Sequence, residues 1–114
     1  MVSLSQTNQK EIKMKTLYID DIRPVPEQYN HYARTYIDAL KMIMYEDWDQ
    51  ISFDHDLGSE DPKETGLELM NILEASIYIG VRKAPLVCVH TDNGGAMKAM
   101  KQAANKINSM RRTK

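Results

Sequence analysis

Residues 51–58 read Ile51-Ser52-Phe53-Asp54-His55-Asp56-Leu57-Gly58, and this stretch decides the fold. An apolar, β-prone triplet runs directly into two carboxylates and an imidazole, which is how a buried strand ends at a polar sheet edge. Two further segments repeat the pattern. Thr16-Leu17-Tyr18-Ile19 runs into Asp20-Asp21, and Leu86-Val87-Cys88-Val89 runs into His90-Thr91-Asp92. A fainter strand is expected around His31-Tyr32-Ala33-Arg34.

Helices are expected between these strands. Thr35 is placed to cap one, with Asp38 three residues on and Tyr36, Leu40, Ile43 and Met44 sharing its apolar face. Thr65-Gly66-Leu67-Glu68 reads as a capping box, followed by Leu69, Ile72, Leu73 and Ile77 at helical spacing; Gly80 is placed to end that helix. The last helix should start near Asn93-Gly94-Gly95 and bury Met97, Met100, Ala104 and Ile107. Strands alternating with helices imply an α/β fold with a mostly parallel sheet of about four strands and about three helices, covered on both faces. In such sheets ligands collect at the carboxyl ends of the strands, where the strand order reverses.

Composition sets the bounds. The chain of 114 residues has room for one core, and 42% hydrophobic with 27% charged residues is ordinary for a globular protein. A formal net charge of -1 argues against a general nucleic-acid binder. Acids concentrate upstream, in Asp20-Asp21, Asp47 and Asp49, Asp54 and Asp56, and Glu60-Asp61. The C-terminal segment carries Lys98, Lys101, Lys106, Arg111, Arg112 and Lys114 without an acid, and reads first as a solvated helix face. The single cysteine, Cys88, lies in an apolar run where a buried thiol is expected, in keeping with a cytoplasmic setting. No run approaches the roughly 18–20 apolar residues of a membrane span, and no signal-peptide pattern opens the chain. Residues 1–14 are polar and aperiodic and read as a flexible extension, with one domain over residues 15–114.

The chemistry is expected at the strand ends. Asp20 and Asp21 are neighbouring carboxylates, which raise each other's pKa unless a cation is near. Along an extended chain Asp54 and Asp56 would face one side and His55 the other. Oxygen donors of this kind suit Mg²⁺ or Mn²⁺. The bland alternative is that these aspartates bond the backbone amides that follow them. Gly58 permits a sharp turn or a close backbone approach. His90 offers a proton donor or acceptor on the same rim. Thr91, Asn93, Gly94 and Gly95 lead into a helix start that suits an anion, although a plain Asn cap would also explain Asn93. Arg23 is within reach as a phosphate clamp.

The runs Leu17-Tyr18-Ile19-Asp20-Asp21-Ile22-Arg23-Pro24, Ile51 to Gly58 and His90-Thr91-Asp92-Asn93 resemble the cyclic-phosphate-processing receiver-like domains, relatives of response-regulator receivers. The resemblance implies a small receiver-like three-layer sandwich and a site for a cyclic nucleotide or an RNA cyclic-phosphate end. It matches Asp20, Asp21 and Asp54 to the acidic metal pocket, with Asp54 in the phosphoacceptor place. His55, Asp56 and His90 match what distinguishes the subfamily, and are the expected catalytic residues. Arg23, Thr91, Asn93, Gly94 and Gly95 are the expected phosphate contacts. Two departures from ordinary receivers stand out. The interval from Asp21 to His31 is too short for a full first helix, and no strand after His90 carries the usual lysine; Lys98 and Lys101 replace it only if the last helix turns inward. Three functions follow: metal-assisted hydrolysis of a cyclic phosphodiester, a cyclic-nucleotide sensor or sponge, and a degenerate receiver that meets a protein partner.

Overall fold

The computed structural model describes residues 14–111, so the expected N-terminal extension lies, apart from Met14, outside the described residues. Four strands, β1 (Thr16–Ile19), β2 (His31–Ala33), β3 (Gln50–Phe53) and β4 (Leu86–Val89), form one sheet in the order β2-β1-β3-β4, with every pairing parallel. Three helices follow the strands: α1 (Tyr36–Tyr45), α2 (Gly66–Tyr78) and α3 (Gly94–Met110). The protein is a compact α/β fold of receiver type. The faint strand at His31 is β2, and no helix intervenes between β1 and β2.

The register divides the sheet into two chemically different faces. Leu17, Ile51 and Val87 align across the sheet, as do Ala33, Ile19, Phe53 and Val89. With their neighbours above they form the apolar face, and all three helices pack there through Ala39, Ile43, Leu69, Met70, Leu73, Ala96, Met100, Ala104 and Ile107. The alternate residues, Tyr18, Ser52 and Cys88, form a polar face. It is covered by the connection from β1 to β2, whose Tyr29 ring lies 5.2 Å from that of Tyr18 and whose Asn30 accepts the Thr16 amide at 2.9 Å. Within the described residues the layers are therefore helices, sheet and this irregular connection.

The caps fall where the sequence places them. Thr35 accepts the Asp38 amide at 3.1 Å, Thr65 the Glu68 amide at 3.2 Å and Asn93 the Ala96 amide at 3.1 Å. Gly80, at φ +88°, ends α2. Three side chains differ from expectation. Met44 is exposed, because Ala39 and Ile43 with half-buried Leu40 already fill the inner stripe of α1. Met97 is half-buried, since Ala96 takes the inward position at the start of α3. Cys88 is only half-buried: β4 is an edge strand and Cys88 lies on the polar face, where Gln50 Nε2 approaches its sulfur at 3.6 Å. On α3, Lys98 and Lys101 are exposed, and Lys106 pairs with Glu74 of α2 at 2.8 Å, so the basic stretch is a solvated face. No helix among the described residues is long and apolar enough to cross a membrane.

Candidate functional site: an acidic cluster at the strand ends

The ladder continues one residue past each strand. The Asp20 amide donates to Ala33 O at 3.1 Å, the Asp54 amide to Ile19 O at 3.0 Å and the His90 amide to Phe53 O at 3.0 Å. Asp20, Asp54 and His90 are thereby fixed at one edge of the sheet. The chain moves one way from β1 to β2 and crosses back over β1 to reach β3, so the order reverses between β1 and β3. Asp20, Asp21 and Asp54 stand at that point.

One carboxylate oxygen from each of Asp20, Asp21 and Asp54 lies within 4.8 Å of the other two. Asp20 is 1% exposed, yet it is the most firmly held charge of the three. Its Oδ1 accepts the amides of Ile22 and Arg23 at 3.0 and 2.9 Å, and its Oδ2 lies 3.0 Å from His90 Nε2. Burial opposes the charge, but these two amides and His90 outweigh it and hold the carboxyl below its ordinary range. Asp54 goes the other way. Burial first, and the Asp20 charge second, raise its pKa against the opposing bonds from Thr91 and the His55 amide. At Asp54 burial and the neighbouring charge thus outweigh the contacts that stabilise its carboxylate. All-oxygen donors in a partly buried cluster fit Mg²⁺ or Mn²⁺.

Gly58 makes room for the third member. Its φ is +72°, and a Cβ there would stand 3.1 Å from Asp21 Oδ2. Gly66 closes the site from below. A Cβ on Gly66 would fall 1.8 Å from the carbonyl oxygen of Asp54, and its amide donates to His55 O at 2.9 Å. The first residue of α2 thus rests directly on the backbone that carries Asp54.

The alternation expected from Asp54 to Asp56 stops early, because β3 ends at Phe53. Asp56 does not join the carboxylate cluster. It is exposed, and its Oδ1 lies 3.0 Å from His55 Nδ1. Asn93 caps α3 through Oδ1 and turns Nδ2 toward the same pair, 3.3 Å from His55 Nδ1 and 3.4 Å from Asp56 Oδ2. His55 thus sits on the rim with one nitrogen oriented by a carboxylate. His90 is different: Nε2 meets Asp20, Nδ1 lies 2.6 Å from Ser52 Oγ, and its ring stacks on Tyr18 at 4.2 Å. Burial foremost lowers its pKa, against the pull of Asp20 and Asp54.

Arg23 spans the two strand-end loops. Its Nη2 pairs with Asp92 Oδ2 at 2.6 Å and its Nη1 donates to His90 O at 3.3 Å. The Asp92 side chain is 94% exposed, so exchanging it for another anion costs little. Thr91 is buried and accepts the Asn93 amide at 3.1 Å, shaping the turn into α3. Gly94 and Gly95 are exposed at the helix start, where amides have no intrahelical acceptor. Sequence reading missed Arg34, just past β2, which donates through Nη1 to the carbonyls of Asp20 and Arg23 at 3.1 and 2.5 Å. It also missed Ser52 and Tyr18. For Arg34 a signal existed, a cation directly after a strand; the other two become visible only through the register.

The family model of the cyclic-phosphate processing receiver domain matches residues 15–106. The chain belongs to this family. Neither the curated proteins nor the solved structures yield a match. As in the sequence, this receiver domain has no strand after β4 among the described residues, and Lys98 and Lys101 of α3 are exposed rather than turned to the site.

Proposed function

We propose that this receiver domain binds a cyclic phosphate, a cyclic nucleotide or an RNA cyclic-phosphate end, and hydrolyses it with the help of Mg²⁺ or Mn²⁺ held by Asp20, Asp21 and Asp54. The observation that carries the reading is the convergence of those three carboxylates within 4.8 Å at the sheet's switch point, in a chain of the cyclic-phosphate processing family. A divalent ion at such a cluster supplies Lewis acidity toward a phosphoryl oxygen and lowers the pKa of a water. The protein's own groups do the rest. His55, oriented at Nδ1 by Asp56, to which Asn93 Nδ2 in turn donates, moves the proton to or from the reacting oxygen. Arg23 exchanges Asp92 for the phosphate, and the Gly94 and Gly95 amides with Thr91 and Asn93 complete an anion cradle at the start of α3. His90, engaged at both nitrogens, serves catalysis by holding Asp20.

Incubation of the purified chain with a panel of cyclic nucleotides and cyclic-phosphate oligonucleotides, with and without Mg²⁺ or Mn²⁺, tests the reading. Metal-dependent ring opening that disappears in Asp54→Asn is the expected result. Retention of intact ligand would identify a sensor or sponge, and the absence of both cleavage and retention would overturn the proposal.

A further inference from the structure

On the polar face of the sheet, directly beneath the acidic edge, Tyr18, Ser52 and His90 form a closed set of contacts in which only His90 is an expected site residue. Ser52 and Tyr18 are aligned neighbours on β3 and β1, 4% and 6% exposed. The Ser52 hydroxyl lies 2.6 Å from His90 Nδ1, and the Tyr18 ring stacks nearly parallel on the imidazole, at 6° and 4.2 Å between centroids. Beside this set the Tyr29 hydroxyl accepts Gln50 Nε2 at 3.0 Å. On the far side of the ring, His90 Nε2 lies 3.0 Å from Asp20 Oδ2. A serine, a histidine and an aspartate are thus strung together, but not as a nucleophilic triad: the hydroxyl is enclosed within the sheet and cannot reach a ligand.

We infer that Ser52 and Tyr18 are positioning residues that lock the His90 ring, so that its Nε2–H holds Asp20 Oδ2 in the orientation the cluster needs. An ionised carboxylate only accepts hydrogen bonds, so the hydrogen of this contact sits on Nε2 whether the ring is neutral or charged. An imidazole has one rotation that presents Nε2 to Asp20. The Ser52 contact at Nδ1 selects that rotation against a ring flip, and the Tyr18 face blocks tilting. Asp20 Oδ1 is already tied by two backbone amides; His90 makes the hydrogen bond to the remaining oxygen, with Arg23 Nε farther off at 3.8 Å. Partners that orient a ligating carboxylate act on metal affinity through geometry. That second consequence rests on the metal reading above; the locking of the ring does not.

The test combines imidazole proton–nitrogen NMR with Mn²⁺ titration on the wild-type chain and on Ser52→Ala, Ser52→Thr and Tyr18→Leu. In the wild type the His90 Nε2–H should give one resolved signal protected from solvent exchange. Ser52→Ala should lose that protection and raise the Mn²⁺ dissociation constant about 3–10-fold, the size expected for one hydrogen bond removed at a distance. Ser52→Thr, which keeps the hydroxyl, should restore both, which a mere packing role would not require. Tyr18→Leu should also lose the protection, and decides alone if Ser52→Ala does not fold. A wild-type Nε2–H signal in either folded variant overturns the inference. Failure of the wild type to bind Mn²⁺ overturns the metal reading instead, while the imidazole signal still decides the lock.

Discussion

Replacing Asp54 by asparagine should make the metal-free protein more stable and deaf to metal. Asp54 and Asp20 are both buried, with carboxylate oxygens no more than 4.8 Å apart within the cluster. Two unit charges at that distance repel by about 3.5 kcal/mol at an effective dielectric of about 20, and by about 0.9 kcal/mol in bulk water. Against this, the carboxamide introduced by Asp54→Asn would accept the His55 amide and the Thr91 hydroxyl less strongly than the carboxylate does, a loss of about 1 kcal/mol for each weakened bond. With the repulsion of a partly buried pair, about 3.5 kcal/mol, the net gain should be about 1.5 kcal/mol, or about 6 °C in melting temperature for a domain of this size. For the wild type, metal at ten times its dissociation constant should add about 1.4 kcal/mol by mass action, a rise of about 5 °C.

The pH dependence has a definite sign. Asp54, raised in the fold by burial and then by Asp20, binds its proton more tightly folded than unfolded. Its contribution is complete below the ordinary value of 3.8 and is lost as pH rises through the raised folded value. The advantage of Asp54→Asn should therefore be absent at strongly acid pH and grow toward neutrality. Asp20 has the opposite linkage: its stabilisation is present above 3.8 and is lost as pH falls through its lowered folded value. Thermal melts from acid to neutral pH, in chelator and then across Mg²⁺ and Mn²⁺ titrations, read all of this. Equal or lower stability of the variant at neutral pH without metal, or a metal increment that survives the substitution, would refute the reasoning.

Three further substitutions separate the roles. His55→Ala should lower turnover of a cyclic phosphate by roughly 10²–10⁴-fold with little change in ligand affinity, measured by single-turnover kinetics beside equilibrium binding; full activity would remove His55 from proton transfer. Arg23→Ala should chiefly weaken ligand binding, and an unchanged dissociation constant by calorimetry would show that the guanidinium stays with Asp92. Gly66→Ala should destabilise by several kcal/mol or prevent folding, because its Cβ would fall 1.8 Å from Asp54 O and backbone cannot yield as a side chain can; a variant melting within about 2 °C of wild type would show that α2 can retreat from β3.

What was legible in the chain was whatever is written locally. Short β-prone runs that break into charge gave three strands and the edge where Asp20, Asp54 and His90 meet, and Thr35, Thr65 and Asn93 announced their helices by side-chain type and spacing. β2 was faint because two of its three residues are exposed at the sheet's rim, leaving no apolar alternation to read. Asp56 was misplaced because period-two reasoning holds only while the strand lasts, and β3 ends at Phe53.

The groups that stayed hidden share another cause. Ser52 looks like a neutral filler in an apolar run, and Tyr18 like one more core aromatic. Their meaning comes from parallel register, which sets Tyr18 beside Ser52 and leaves His90 one residue beyond the end of β4. Gly66 looks like part of a capping box until the crossover lowers α2 onto Asp54. The same crossover that brings β3 beside β1 gathers the three carboxylates, packs the helices on one face and leaves the opposite face polar. One topological choice thus produces both the acidic cluster and the enclosed Tyr18–Ser52–His90 set beneath it. The identities of the cluster's residues can be read along the chain, but the set that orients them exists only once the strands are side by side.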